Sequence, residues 1–355
     1  MPAASIDTFF ACSLMVLLAV SAMALTSKLL YPSLTNTNYE NIAERYREIS
    51  KYLLLDAGTP SNWGRNRAAI PEAFGLSKTN PESSYDLDMD KVSRLNSENL
   101  YALTYAQVFT VLGMTDVSFS IEIKPLFDVA INLTASIAAA NDTTYLFEIT
   151  TSKSGAEISS LLKCYVVAND YLENSVVYSS NGRQQVSVTL PNNVTGPALL
   201  AVFASSTANS KIESFNAFAF AHSSAEPKPN NTFLTLSPLN YTVDASFSSQ
   251  GLNLSTAYAL TFDYASTMAI GAFDNRSAAY AIPHFADSAP MILVVTGHNS
   301  TAFFSEWTAY PQIPLRAGAN FNDSTAVSDV FAYTYVVTID SSFYGCNVWV
   351  GGPKE

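Results

Sequence analysis

The sequence predicts an α+β chain that is mainly β, with an N-terminal transmembrane helix, a small helical segment and two tandem antiparallel β-sandwich domains. Three observations predict it. Residues Phe9 to Leu25 run FFACSLMVLLAVSAMAL without a charge. Ile42, Tyr46, Ile49 and Leu53, and later Met89, Val92 and Leu95, recur at helical spacing. From Val117 the period changes to alternation, with turn residues between the runs.

The apolar stretch, flanked by Asp7 before and Lys28 after, is long enough to cross a hydrocarbon layer of ~30 Å. Met1 to Thr8 contains no Lys or Arg, and the run exceeds a usual signal core, so it reads as a retained anchor rather than a cleaved leader. Its small residues Ala11, Ser13, Ala19, Ser21, Ala22 and Ala24 allow another helix to approach closely. Pro32 ends it. The expected division is residues 1–31 for this helix, 32–116 for the helical segment, and 117–225 and 226–355 for the sandwiches.

An amphipathic helix is expected from Tyr39 to Leu55, because Ile42, Tyr46, Ile49 and Leu53 form one apolar stripe. Asp56-Ala57-Gly58 stops it. Pro60, Gly64 and Gly75 then forbid regular structure, and Trp63 is expected to plug the loop onto the core. Asp86 or Asp88 N-caps a helix to about Asn96, with Met89, Val92 and Leu95 inward. A third helix covers Leu100 to Leu112 and ends at Gly113.

Alternation marks a strand through Phe119, Ile121 and Ile123. Further strands are expected at Val129–Ala138, Tyr145–Thr151, Leu161–Ala168, Ser175–Ser179, Gln185–Leu190, Ala198–Ser205 and Phe215–His222. Their even spacing argues for an immunoglobulin-like sandwich. Glu226-Pro227-Lys228-Pro229-Asn230 reads as a linker. Beyond it, Phe233–Ser237, Tyr258–Asp263, Met291–Thr296, Val330–Ile339 and Asn347–Val350 are expected strands of a second β-domain. By eye the two halves are not repeats.

Composition narrows the function. The chain has 355 residues, 14% charged and 12% aromatic, with a net charge of −12. A main role in nucleic-acid binding is excluded, because no basic face is available for phosphates. Nine Asn-x-Ser/Thr sequons stand at Asn132, Asn141, Asn193, Asn230, Asn240, Asn253, Asn275, Asn299 and Asn322, and none precedes residue 131. Such segregation suits a glycosylated outer body on a shielded base; equally, Asn and Thr are common in β-turns. Of the three cysteines, Cys12 lies in the apolar helix. Cys164 and Cys346 lie in strand-like runs, where they either pair as a clamp between domains or remain buried free thiols.

No catalytic, cofactor or metal constellation emerges. Asp86, Asp88 and Asp90 resemble the start of a calcium loop, but Lys91 stands where glycine is needed and Ser97 where glutamate is needed. The helix-cap reading is stronger. His284 and Asp287 lie close in sequence without an activated nucleophile motif. The Phe215–Phe220 run reads as core more than as an adhesive stripe.

The first 125 residues carry an ordered series of motifs: the apolar helix with Asp7, the amphipathic extension, Leu53-Leu54-Leu55-Asp56-Ala57-Gly58-Thr59-Pro60-Ser61-Asn62-Trp63-Gly64, then Phe74-Gly75-Leu76-Ser77, Leu87-Asp88-Met89-Asp90-Lys91-Val92-Ser93-Arg94-Leu95, Leu112-Gly113, and the Phe119–Ile123 strand. In this order they resemble the archaeal type IV pilin-like single-pass surface proteins. The resemblance covers about a third of the chain. It implies a pilin-like assembly helix whose contacts include Asp7, Phe9, Phe10, Leu14, Leu17 and Leu18. Cleavage after Pro2 would place Asp7 fifth in the processed chain, where such proteins carry an acid; the usual basic residue before the cleavage site is missing.

The expected function is that of a non-enzymatic cell-surface structural subunit without cofactor. Its partners are copies of itself or other membrane subunits, joined through the N-terminal helix in the membrane or a filament, with glycans as covalent modifications. The alternatives are a monomeric anchored adhesin or accessory binding subunit, and an anchored glycan-active enzyme.

Overall fold

The computed structural model describes residues 15, 16, 20, 21, 23, 40–114, 116–223, 225–285, 289–321 and 330–352. Two compact units divide the chain, Met1–Ile49 and Ser50–Glu355. Among the described residues no helix is long and apolar enough to cross a membrane. The expected transmembrane helix lies almost wholly outside the described residues. Within it Met15, Val16, Val20 and Met23 are helical and exposed. Helix α1 spans 40–55, its residues to Ile49 belonging to the first unit.

In the second unit the end of α1 buries Leu53 and Leu54 completely. Asp56 then accepts a hydrogen bond from the Gly58 N–H at 2.7 Å, and Gly58 turns the chain at φ +73°. A Cβ there would lie 2.5 Å from the Ala73 carbonyl oxygen, so this turn admits only glycine. Trp63 is fully buried against Phe74 and donates to the Gly75 carbonyl at 3.1 Å.

Strand β1 (Asp86–Leu87) leads into α2 (Met89–Ser93), N-capped by Asp88. Helix α3 (Tyr105–Leu112) starts later than its periodicity suggests because Thr104 and Gln107 form a capping box. Gly113 closes it at φ +64°. Strand β2 (Ser118–Pro125) follows.

The first sandwich holds β3 (Asp128–Ala138), β4 (Asp142–Lys153), the short β5 (Ala156–Glu157), β6 (Ser160–Ala168), β7 (Tyr171–Ser179), β8 (Arg183–Pro191), β9 (Ala198–Ser206) and β10 (Asn209–Phe220). One sheet is β3-β4-β8 with β5 at the end of β4; the other is β10-β9-β6-β7. They enclose a core that includes Ile131, Phe147, Cys164, Val188, Leu200 and Phe220.

The second sandwich holds β11 (Leu234–Leu239), β12 (Thr242–Phe247), β13 (Asn253–Leu260), β14 (Ala265–Thr267), β15 (Ala269–Phe273), β16 (Ser277–Ala281), β17 (Met291–His298) and β18 (Phe303–Tyr310). Its sheets are β11-β12-β16-β15 and β14-β13-β17-β18. The two sandwiches share a strand plan. In each, the first, second and fifth long strands make one sheet around the second, and the sixth is flanked by the third and the seventh in the other. Sequence inspection hid this kinship, because burial pattern rather than residue identity carries it.

Strands β19 (Leu315–Gly318), β20 (Phe331–Ile339) and β21 (Ser342–Gly351) do not join the second sandwich. They pair with the chain's beginning in a five-stranded sheet, β1-β20-β21-β2-β19. The division expected at 117 and at 226–355 therefore differs from the pairing. Strand β2 leaves a base layer, the chain runs through both sandwiches, and β19–β21 return to close the base. Alternation identifies a strand but not its partner, so this closure is invisible in one sequence.

Strand β9 is buried on both faces. Leu200 and Val202 enter the first core, whereas Leu199 and Phe203 face the other way and are equally buried. Strand β17 is likewise buried from Met291 to Val295. Across this middle layer Tyr258 donates to the Asp170 carbonyl at 2.9 Å, and Thr296 to the Asn169 carbonyl at 2.8 Å. These two bonds join the β6–β7 turn of the first sandwich to the β13–β17 pair of the second.

Candidate functional site

The residues of the expected assembly helix, Asp7, Phe9, Phe10, Leu14, Leu17 and Leu18, lie outside the described residues. What the structure describes is the motif helix α2 beneath the sandwiches.

Every charged side chain of Asp88-Met89-Asp90-Lys91-Val92-Ser93-Arg94 is turned inward. Asp88 accepts from the N–H groups of Asp90 at 3.0 Å and Lys91 at 3.1 Å. Lys91 is fully buried and donates to the carbonyls of Ala57 at 2.7 Å and Ser77 at 2.6 Å. Burial pulls its ammonium down to about 8, against the attraction of Asp88 and Asp56. Arg94 donates to four carbonyls, of Tyr101, Trp63, Asn66 and Ala69, at 2.8–2.9 Å. The two cations stand at 5.8 and 5.6 Å from the Trp63 ring centroid. The irregular 57–77 segment has few ladder partners for its carbonyls, and Lys91 and Arg94 supply the donors.

Asp90 faces the second sandwich. Its Oδ1 accepts from the Tyr310 hydroxyl at 2.6 Å and the Asn240 N–H at 2.7 Å. Burial pushes its carboxyl above the usual range, and those two bonds oppose the shift. Beside it Asn99 donates to Gln312 Oε1 at 2.6 Å, and Arg67 pairs with Asp244 at 2.7 Å. The base and the second sandwich thus meet through a polar interlock. The helix-cap reading of Asp88 holds, its Oδ1 taking both cap bonds. Asp86 pairs with Lys78 at 3.1 Å and accepts from the Glu82 N–H at 3.1 Å, so each acid of the calcium-like triplet has a protein partner.

Two clefts open nearby and at the far end. One of about 420 Å³ lies over α2, lined by Arg65, Lys78, Asp90, Tyr241 and Asp340 among others. A larger one of about 680 Å³ opens at the end of the second sandwich, between the 248–251 and 274–276 loops. Among the described residues no group of His, Cys, Asp or Glu is arranged to hold a metal ion.

The other sequence candidates are placed as follows. Asn132, Asn141, Asn193, Asn230, Asn240, Asn253 and Asn275 are exposed, Asn299 is half-buried, and Asn322 lies outside the described residues. Cys164 and Cys346 are free, buried thiols in different sheets, so the structure does not join them. Burial pushes each up to about 12. His284 lies against Tyr241 at a tilt of 35°, with centroids 3.7 Å apart, and Asp287 lies outside the described residues. Phe218 and Phe220 contact Phe147, and Phe215 contacts Phe203, which makes that run core.

Sequence reasoning missed Glu306. Buried on β18, it accepts from the N–H groups of Asn231 at 2.5 Å and Phe233 at 2.8 Å. Its carboxyl is raised by burial, against those bonds. The lone acid in Phe303-Phe304-Ser305-Glu306-Trp307 was the available signal.

No family model matches the chain, and no curated protein matches it. Among solved structures, it is similar over 52% of its length to HBP35 of Porphyromonas gingivalis, at 12% identity and a TM-score of 0.20. The match spans 64% of that protein's chain.

Proposed function

We propose that this chain is a non-enzymatic surface subunit resembling the archaeal type IV pilins, with an N-terminal helix that packs in a filament core or membrane assembly and immunoglobulin-like β-domains displayed outside. One observation carries this reading: the uncharged Phe9–Leu25 run with Asp7 before it, followed by α1 and a body built mainly of β-sandwiches. The non-enzymatic part is supported by the fate of the buried acids. Asp90 and Glu306 accept hydrogen bonds that tie distant segments together, and Asp88 caps α2.

N-terminal sequencing and intact mass of the protein from cell envelopes, before and after mechanical shearing, test the reading. A chain starting at Ala3 or Ala4, released in high-mass assemblies, supports it. An intact start in protein that leaves the membrane only with detergent, as monomers, overturns the filament form.

A second reading, an anchored adhesin or accessory binding subunit, is favoured by the open cleft and by β15. That strand lies at a sheet edge, with Ile270 and Phe273 more than half exposed. Co-purification with unrelated membrane subunits, without self-association, would favour it.

A further inference from the structure

The cleft of about 680 Å³ at the end of the second sandwich has a sequon on its wall. Asn275 lines the cleft and is exposed at the tip of the β15–β16 turn. The turn is fixed from within. Asp274 accepts from the N–H groups of Arg276 at 2.6 Å and Ser277 at 2.7 Å, which leaves the Asn275 side chain at the apex.

Beside it stand two aromatic rings, Phe247 and Phe273, with centroids 6.1 Å apart. Their cross-strand partners, Leu234 and Ala278, are buried, so both rings lie on the core-facing side of the sheet, at its open end. Phe273 is nevertheless 57% exposed. The Phe247 N–H donates to the Arg276 carbonyl at 2.8 Å, which brings this ring next to the sequon. Gln250 and Arg276 put polar groups on the rim.

We propose that Asn275 carries an N-linked glycan whose first sugars seat in this cleft against Phe247 and Phe273. The inference rests on the reading that the β-body faces outside, where sugar transfer occurs. Tethering commits the occupant: a saccharide joined at the wall has a high local concentration in the cleft. Sugar rings present C–H faces to aromatic faces and hydroxyls to amide and guanidinium groups, which is the chemistry of this wall and rim. In the transfer, the Asn275 Nδ2–C1 bond forms as the C1–O bond to a polyprenyl phosphate or pyrophosphate carrier breaks. The carrier leaves with the electron pair, and the Nδ2 proton passes to a base.

Glycopeptide mapping of the native protein tests the modification, and thermal unfolding of full-length variants made in the native host tests the seat. Asn275 is expected to be occupied. Asn275→Gln is expected to lower Tm by about 1–3 °C, the scale of one aromatic contact in a chain of this size. In a Phe273→Ala background the same change is expected to shift Tm by a much smaller amount. Occupied sequons elsewhere with Asn275 bare would overturn the proposal while leaving the surface reading intact. So would an Asn275→Gln shift that is unchanged in the Phe273→Ala background. A native protein with no sugar anywhere overturns it too, and N-terminal processing still decides the pilin-like reading separately.

Discussion

Tyr310 and Asp90 are joined by a 2.6 Å hydrogen bond that spans 220 positions of sequence, from the last strand of the second sandwich to the motif helix. Removing the hydroxyl by Tyr310→Phe is expected to cost about 1.5–3 kcal/mol, the range for a bond to an ionised partner. Asp90→Asn keeps an acceptor for both Tyr310 and Asn240, so it is expected to be milder than Asp90→Ala. Urea unfolding of the single and double variants would show non-additivity if the two residues act as a pair.

The same carboxyl sets a pH dependence. Burial raises the Asp90 carboxyl above its unfolded value, so the native state holds the proton more tightly. Its contribution therefore grows as pH falls through the raised folded value, and levels off below the unfolded one. Glu306 has the same sign. Asp90→Asn and Glu306→Gln are each expected to flatten the rise in stability on mild acidification. Denaturant midpoints measured across the acidic range give the answer.

Lys91 acts at the other end of the scale. Its value of about 8 lies below the unfolded 10.5, so the unfolded chain binds more protons between those limits. Stability from this group therefore rises with pH from about 8 to about 10.5. Lys91→Met is expected to remove that alkaline rise. It also leaves the Ala57 and Ser77 carbonyls without their ammonium donor, at about 1–3 kcal/mol each. The loss of overall stability and the loss of slope are separate readouts of one unfolding series.

Much of this architecture was legible, but not its closure. The first sandwich's strands were readable because Val, Ile and Phe alternate in them, and Asp88 was readable as a cap. Strands β15 and β16 were missed because Ala-Ile-Gly-Ala-Phe and Ser-Ala-Ala-Tyr-Ala are poor in β-branched residues. The pairing of Ile121 with Val348 was beyond reach, since it depends on where both sandwiches send the chain. Lys91 and Arg94 look like helix surface in sequence. They are interior because the glycine- and proline-rich stretch before them leaves carbonyls unpaired, and that stretch was the signal to follow.

The buried thiols make a simple prediction. Cys164 and Cys346, each pushed up to about 12 by burial, are not thiolates at neutral pH, and the thiolate is the reactive form. Both are expected to resist iodoacetamide in the native protein and to react once it is unfolded. Peptide mapping assigns the label to each cysteine. Rapid native labelling of either would contradict that burial.

Asn230 is expected to stay bare, for a stereochemical reason. Its Nδ2 donates to the Trp307 carbonyl at 2.7 Å while its Oδ1 accepts from the Trp307 N–H at 2.9 Å. This bidentate pairing covers one residue of the β18 edge, and it uses the Nδ2 hydrogen on the same side as Oδ1. A glycosylated amide is secondary and prefers the trans form, which puts the sugar carbon on that side. The sugar would occupy the place of the hydrogen that meets Trp307, so modification and pairing are mutually exclusive. Asn230→Asp, which keeps the shape but loses the donor, is expected to cost about 1 kcal/mol. Glycopeptide mapping of the native protein is expected to find Asn230 unmodified. A sugar there in folded material would mean that the 230–233 segment is held to β18 by Glu306 and the Phe233–Phe304 stack without the Asn230 pairing.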